Sequence, residues 1–330
     1  MPNLCPVTPR AGANPCNAEA QAHHTRCGPS LLGGFGLALA LALACVPPAP
    51  GAESLSLEGA FVQGGLVQGR TAPGTHVTVD GRPVRVSEEG VFIFGFDRDA
   101  PAEIEVVAEL VDGTRERRVL AVEPRRYRIQ RIDGLAPRKV TPSEEDLKRI
   151  RAEVELVRNT RKRDDARTDF LDGFEWPLTG RISGVYGSQR ILNGQPRRPH
   201  YGIDIAAPVG TAVRAPANGV VTLVHPDMFF SGGTLIVDHG HGLSSAFLHL
   251  HSIGVEEGER VRQGQVIATV GATGRVTGAH LDWRINLFEK RLDPTLLVGP
   301  MPARAGARQS AGGEGDGATN EAKSPRAFSG

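Results

Sequence analysis

Apolar and polar residues alternate in short runs over the first half of the chain, as they do in half-buried strands. Runs of this kind recur at residues 77–86, 91–96, 104–110 and 117–122. Asp80-Gly81 splits the first run, and Asp112-Gly113 lies between the last two; such dipeptides favour hairpin turns. Several short antiparallel strands at this spacing predict a small β-sandwich over residues 53–124.

A second group of strand-like runs, punctuated by glycine, follows further along the chain. These runs are residues 219–224, 234–238, 243–250, 266–270 and 281–288. We expect turns at residues 238–240 and 257–259, where Gly accompanies charged residues. Residues 171–300 are therefore predicted to form a compact antiparallel β domain with a groove, which makes the whole chain mainly β.

Between the two groups, residues 125–170 are predicted to form a charged helical connector. Thr141 followed by Glu144 has capping-box spacing, with Pro142 at the first helical position. Apolar residues then recur at helical spacing: Leu147, Ile150, Val154 and Val157. One thin stripe favours a solvated spacer helix docked along one side. The alternative is a helix that contacts an anionic polymer, since residues 125–169 hold fourteen basic and nine acidic residues.

The composition of the N-terminal residues indicates where the protein is located. Residues 31–45 are a Leu/Ala-rich run of signal-peptide length, too short to span a membrane, so residues 1–52 are predicted to be an export leader. All four cysteines lie within the first 45 residues, and Cys45 is a candidate lipidation site. An exported product without cysteine has no disulfides, and only His, Asp or Glu could hold a metal in it.

The net charge argues against nucleic-acid binding, and the composition of the C-terminal tail predicts disorder. The 38 basic and 37 acidic residues give a formal net charge of +1, so no global field attracts nucleic acid. Residues 301–330 are rich in Gly, Ala and Ser, and we expect them to be disordered.

Histidines are concentrated in the second half, with seven of the ten between residues 200 and 280. In a straight strand His200 and Asp204 would lie about 13 Å apart, whereas ligands of one metal ion lie about 3–3.5 Å apart. The segment must therefore be helical or bend sharply, and Gly202 allows a bend. His280 and Asp282, two apart on a strand, would face the same side.

The other five histidines of this region form one pair and one group of three. His249 and His251 form a second pair two residues apart. His225, His239 and His241 stand beside turn residues and are expected at the surface or as groups that stabilise a turn.

In order and spacing, these elements resemble the M23 (LytM/lysostaphin-like) metallopeptidases of bacterial cell walls, from about Trp176 to Asp293. The matching pieces are Gly187-Ser-Gln-Arg190, His200-Tyr-Gly-Ile-Asp204, Ala207-Pro208-Val-Gly210-Thr211, Val237-Asp-His-Gly240, Phe247-Leu-His249-Leu, Gly264-Gln265-Val-Ile267, Gly271-Ala-Thr273-Gly274 and Thr277-Gly278-Ala-His280-Leu281. The β-sandwich region likewise resembles the immunoglobulin-like modules found ahead of catalytic domains in bacterial envelope proteins.

The resemblance implies that His200 and Asp204 bind zinc and that His249 and His280 are catalytic. The chain departs from the family at the second His of the H-x-H element, which is Asp282 here. Zinc accepts a carboxylate oxygen, so we expect Asp282 to be the third ligand. Two Asp and one neutral His would cancel the formal charge of the ion and make it a weaker Lewis acid. The alternative is that His251 is the ligand and Asp282 orients it.

The function implied is an exported zinc metalloendopeptidase of the periplasm or cell envelope, which hydrolyses peptide bonds in peptidoglycan stems or cross-bridges. The rival hypothesis is an inactive LytM-type envelope factor that regulates a wall amidase or binds peptidoglycan. Partners would be peptidoglycan peptides and other cell-wall enzymes, with no nucleic acid, and Cys45 would supply the only link to a membrane. The domain order also predicts that the β-sandwich and connector cover the groove.

Overall fold

The computed structural model describes residues 55–132, 143–192 and 194–302. The predicted leader at 1–52, with the candidate lipid site Cys45, lies outside the described residues, as do residues 303–330 of the predicted tail. Those interpretations stay predictions, and so do the domain limits. Within the described ranges, no helix is both long and apolar enough to cross a membrane.

The N-terminal strands form a β-sandwich, as predicted. Its seven strands are β1 (Leu55–Gly59), β2 (Leu66–Thr71), β3 (His76–Val79), β4 (Arg82–Val84), β5 (Val91–Gly95), β6 (Glu103–Glu109) and β7 (Arg115–Ala121). One antiparallel sheet has the order β1-β2-β5 and the other β4-β3-β6-β7. Asp80 and Gly81 have φ of 48° and 72°, and this left-handed pair closes the predicted β3–β4 hairpin.

Strand β5 joins the sandwich to the rest of the molecule. Its five residues are all buried, because Phe92 and Phe94 face the sandwich core while Val91 and Ile93 belong to the second core. A strand buried on both faces has no polar side, which explains its continuous apolar sequence. The two β regions therefore share a packed interface.

The connector contains a strand that the sequence pattern did not predict. Strand β8 (Ile129–Ile132) pairs in parallel with β10 (Gln189–Leu192), which pairs in turn with β11 (Gln195–Pro196). These three strands form a separate small sheet.

Helix α1 (Glu144–Thr160) begins two residues later than predicted. Ser143 is the N-cap, its hydroxyl accepting from the Asp146 amide while the Asp146 carboxylate accepts from the Ser143 amide. The capping box predicted at Thr141 is therefore wrong, since Asp146 supplies the reciprocal carboxylate. The helix has no buried residue, and it docks through Val157, in agreement with a solvated spacer helix.

The C-terminal region is one antiparallel sheet of ten strands. They are β9 (Arg181–Gly184), β12 (Ile203–Ala206), β13 (Ala212–Arg214), β14 (Gly219–Met228), β15 (Gly232–Asp238), β16 (Leu243–Ile253), β17 (Arg260–Val261), β18 (Val266–Val270), β19 (His280–Leu287) and β20 (Lys290–Leu292). The main path is β17-β14-β15-β16-β19-β12-β9. All five predicted strands are present, and short 3-10 helices flank the sheet at Asp169–Asp172 and Pro294–Leu296.

The core of this region fixes strand β19 between β16 and β12. Leu281, Trp283 and Ile285 are fully buried in that core. Because successive side chains of a strand point to opposite faces, His280 and Asp282 lie together on the other face. Packing of β19 therefore sets the position of its polar residues.

Candidate functional site

Two carboxylates meet on neighbouring strands. Asp204 of β12 stands directly opposite Asp282 of β19 in the antiparallel register. Asp204 also faces Gly184 of β9, where a Cβ would lie 2.0 Å from the Asp204 Oδ2, so the missing side chain leaves room for the carboxylate. The sheet thus holds two acidic groups side by side at one point.

His200 reaches the same point from the loop before β12. Its Nε2 lies 2.8 Å from the Asp204 Oδ1, and no helix separates the two residues. The chain bends at Gly202, where a Cβ would lie 2.6 Å from the Trp283 carbonyl oxygen and 2.7 Å from the Asp282 Oδ1. Glycine is required at that position by the close approach to β19.

His280 and His249 complete the cluster. Their ring centroids are 4.9 Å apart, and the His280 Nε2 lies 3.7 Å from the Asp204 Oδ1. The His249 Nδ1 donates to the Thr273 carbonyl at 2.9 Å, and the His280 Nδ1 donates to the Gly278 carbonyl at 2.8 Å. With the proton fixed on each Nδ1, both Nε2 atoms are left as acceptors.

Arg284 forms an ion pair with Asp282. Its Nε lies 3.0 Å from the Asp282 Oδ1, and its Nη2 lies 2.5 Å from Oδ2. Burial alone would raise the pKa of Asp282, but the guanidinium outweighs it and leaves that pKa below its usual value. Burial and the neighbouring Asp282 charge raise the pKa of Asp204. The pKa values of the two carboxyl groups are therefore shifted in opposite directions.

The donor set fits a zinc ion. His200, Asp204 and Asp282 each offer a ligand atom, and these atoms lie within 4.8 Å of one another. Imidazole nitrogen and carboxylate oxygen are donors that zinc accepts. A carboxylate has about four lone-pair positions, so Asp282 can accept from Arg284 and still offer an oxygen to an ion.

Comparison with known proteins agrees with this geometry. The sequence profile of peptidase family M23 matches residues 198–294. The crystal structure of a protein from Pseudomonas aeruginosa assigned to peptidase M23 is 30% identical, with a TM-score of 0.55. The match covers 72% of this chain and 94% of that one. The chain belongs to peptidase family M23.

Curated relatives match about two fifths of the chain. The DD-carboxypeptidase/endopeptidase Mpg of Neisseria meningitidis is 36% identical over 131 residues, which are 40% of this chain and 30% of that protein. The peptidoglycan DD-endopeptidase ShyB of Vibrio cholerae is 38% identical over 136 residues, covering 39% of this chain and 28% of that protein. The chain therefore spans less than a third of the length of these relatives.

His251, the alternative M23 ligand, does not join the three-donor cluster. His249 has a φ of 65°, so regular alternation breaks there, and His251 is exposed at the end of β16. It lines a separate small pocket with Val224 and Ile253. Of the two candidates for the third donor, Asp282 is the one that the fold places beside His200 and Asp204.

The expectation of surface positions for His239 and His241 is wrong. Both are buried, because the tight turn after β15 folds them against the aromatic rings of Phe174 and Phe170, respectively. The His239 Nδ1 donates to the Asn218 carbonyl at 2.6 Å, so His239 does stabilise the turn region.

His225 lies within strand β14 (Gly219–Met228) and not beside a turn as expected. It is half-buried, and its Nδ1 accepts from the Asp227 amide.

Two residues of this site were missed in the sequence. Arg284 follows Asp282 by two positions, so the alternation that paired His280 with Asp282 also places Arg284 on that face. Thr273 was quoted only within a motif, yet its carbonyl holds His249, and its hydroxyl donates to the Leu250 carbonyl at 2.9 Å. Of these two residues, only Arg284 could have been predicted from the sequence, by strand alternation.

Proposed function

We propose that this M23 protein is a zinc metalloendopeptidase that hydrolyses peptide bonds in peptidoglycan stems or cross-bridges. The observation that carries the proposal is the convergence of three candidate donors with two histidines whose Nε2 atoms are free to accept. The Neisseria relative is named a DD-carboxypeptidase/endopeptidase and the Vibrio relative a peptidoglycan DD-endopeptidase, which supports the substrate class.

In this proposal His200, Asp204 and Asp282 hold the zinc ion. Bound zinc would polarise the scissile carbonyl and lower the pKa of a water molecule. The fixed backbone positions of the three donors on β12, β19 and the preceding loop orient the ligands before the ion binds.

His249 and His280 handle the proton. One of them accepts the proton of the attacking water at Nε2. The other, as an imidazolium that has taken a second proton from solvent at Nε2, donates a hydrogen bond to the oxyanion that develops on the scissile carbonyl. The first histidine then delivers the proton of the water to the amine nitrogen as the C–N bond breaks. The carbonyls of Thr273 and Gly278 keep both rings in the required tautomer.

Peptidoglycan lies outside the cytoplasm, so the proposed substrate requires export. The apolar run at residues 31–45 is the proposed leader core, and Cys45 is a candidate anchor. We place the protein in the periplasm or cell envelope, with a β-sandwich at 53–124, a connector at 125–170 and a peptidase domain at 171–300.

One observation favours a second function, that of an inactive envelope factor which regulates a wall amidase. A guanidinium is bound to the third candidate ligand. If that ion pair took the place of the metal, the groove would bind wall peptides or a partner enzyme without cleaving.

The deciding experiment uses purified, metal-replete protein incubated with peptidoglycan. The enzyme proposal expects new amino termini that disappear after chelation and in His280→Ala protein. Metal-replete protein that binds peptidoglycan but releases no new amino termini would instead support the regulatory function.

A further inference from the structure

A cavity of about 700 Å³ lies between helix α1 and the sheet, next to the candidate active site. Val154 and Val157 line it from the helix, and Met228, Ile236 and Leu248 line it from strands β14, β15 and β16. His249 also lines the cavity, which therefore adjoins the proposed proton-handling group.

The charged lining of this cavity is predominantly basic. Seven arginines and four acidic residues line it: Arg98, Arg158, Arg161, Arg198, Arg275, Arg284 and Arg291, with Asp97, Asp99, Glu153 and Glu289. Three of the arginines form ion pairs, with Asp99, Glu155 and Asp282. The other four have no carboxylate within 4.0 Å among the described residues. These arginines without an ion pair are Arg161, Arg198, Arg275 and Arg291. The Arg291 Nη1 donates to the Asn286 Oδ1 at 2.6 Å, and the Arg275 guanidinium lies over the Phe230 ring.

Arg161 shows most clearly that positive charge in the cavity is uncompensated. Its Nε is buried without a hydrogen-bond partner. Burial, reinforced by the charges of Arg291 and Arg284, lowers the Arg161 pKa to about 8. Burial and the Arg284 charge likewise lower the Arg291 pKa to about 10. An anion between these guanidiniums would remove the repulsion and supply the missing acceptor.

We propose that this cavity is a subsite for peptide carboxylates, in which Arg161 and Arg291 recognise free carboxylates of the peptide that lies in the groove. The inference rests on the proposed function, since His249 lines the same cavity. Guanidinium groups bind carboxylates through paired, charge-assisted hydrogen bonds. Met228, Ile236 and Leu248, against which Val157 packs, give the cavity an apolar floor that the aliphatic part of such a residue would contact.

The chain has no obvious anion of its own for this cavity. Residues 133–142 hold two basic residues and one acidic residue, and residues 303–330 hold four basic and three acidic residues. These two segments thus have a positive formal charge, and residues 1–54, which also lie outside the described ranges, hold two basic and two acidic residues. A ligand from outside the chain is the better match to the cavity.

The test compares two cross-linked stem peptides that differ only at their carboxylates, one as free acids and one as carboxamides. Kd is measured by calorimetry with the full mature His280→Ala protein loaded with zinc, and kcat and KM are measured with the active protein. The variants are Arg161→Gln, Arg291→Gln and both together. Arg151→Gln on the same helix is the matched control, since Arg151 is exposed and does not line the cavity.

We expect the free acid to bind about tenfold to a hundredfold more tightly than the amide, as charged hydrogen bonds warrant. The double variant should reduce that ratio to near one through KM, with kcat unchanged, and Arg151→Gln should keep it. Equal Kd values for the two peptides, or a double variant that keeps the preference, would overturn the inference. If the free acid is preferred but neither peptide is cleaved by the active protein, the subsite stands and the proposed hydrolysis fails.

Discussion

Replacing Asp282 tests the proposed metal centre directly, because this residue is both a candidate ligand and the partner of Arg284. In Asp282→Ala the ion loses one of three protein donors. Loss of a residue that merely orients a ligand lowers metal affinity by about 10–100-fold. Loss of the ligand itself should therefore lower zinc affinity by more than about 100-fold, or about 2.7 kcal/mol.

The same change also affects folding, and the structure sets the size of that effect. Breaking a buried ion pair costs about 3–5 kcal/mol because one charge is left without its partner. The Arg284 side chain is 29% exposed, so water solvates part of the freed guanidinium, and we expect about 2 kcal/mol. In a protein of this size that is a loss of about 4–8 °C in Tm without metal.

Two measurements separate these effects: zinc affinity by competition with a chromophoric chelator, and the Tm of the metal-free protein. His251→Ala is the control, because His251 is exposed and apart from the donor cluster, and it should change zinc affinity less than about twofold. If Asp282→Ala kept full zinc affinity while His251→Ala lost it, the proposed ligand set would be wrong.

Three further predictions test other parts of the molecule. Burial lowers the His239 pKa to about 4, below the value of about 6.5 in the unfolded chain, so stability is full above pH 6.5. It should fall by about 3 kcal/mol as the pH drops to 4, and urea unfolding of His239→Gln should show a pH slope smaller by one proton. Val157→Asp should detach helix α1, which would raise kcat on intact peptidoglycan by uncovering the groove and raise KM for free-acid stems by removing Arg161 from the cavity; an unchanged kcat would contradict the prediction that the connector covers the groove. In Gly232→Ala the new Cβ would lie 2.2 Å from the Thr273 Oγ1, so displacement of Thr273 and His249 should lower kcat about tenfold or more, whereas an unchanged kcat in folded protein would refute this coupling.

Local pattern predicted ten of the twenty described strands, because each of those has one apolar face or two. Period-2 alternation located β3 and β6, and the continuous apolar run of β5 was equally visible. The short strands β8 and β10 were missed, because their parallel pairing joins segments about sixty residues apart. Such pairing depends on tertiary packing, which local propensity does not encode.

The site was predictable only in part for the same reason. The proximity of His280 and Asp282 follows from strand alternation, and Arg284 extends that rule by one step. Arg161 and Arg291 are 130 residues apart and meet only because helix α1 docks on the sheet. No spacing rule along the sequence could have brought their guanidiniums into one cavity.

Arg284 also changes the net charge that results from having aspartate at position 282. His200, Asp204 and Asp282 alone carry a formal charge of −2, which would cancel that of a zinc ion and weaken it as a Lewis acid. With Arg284 hydrogen-bonded to Asp282, the four residues together carry −1, the same charge as one Asp with two neutral His. A zinc ion held there would leave the site as a whole with a net charge of +1, as in the usual ligand set of the family. The positive charge of Arg284 thus offsets the extra negative charge of Asp282, so that a carboxylate ligand at this position is compatible with hydrolysis. The neutral metal site expected from the sequence did not include the charge of Arg284.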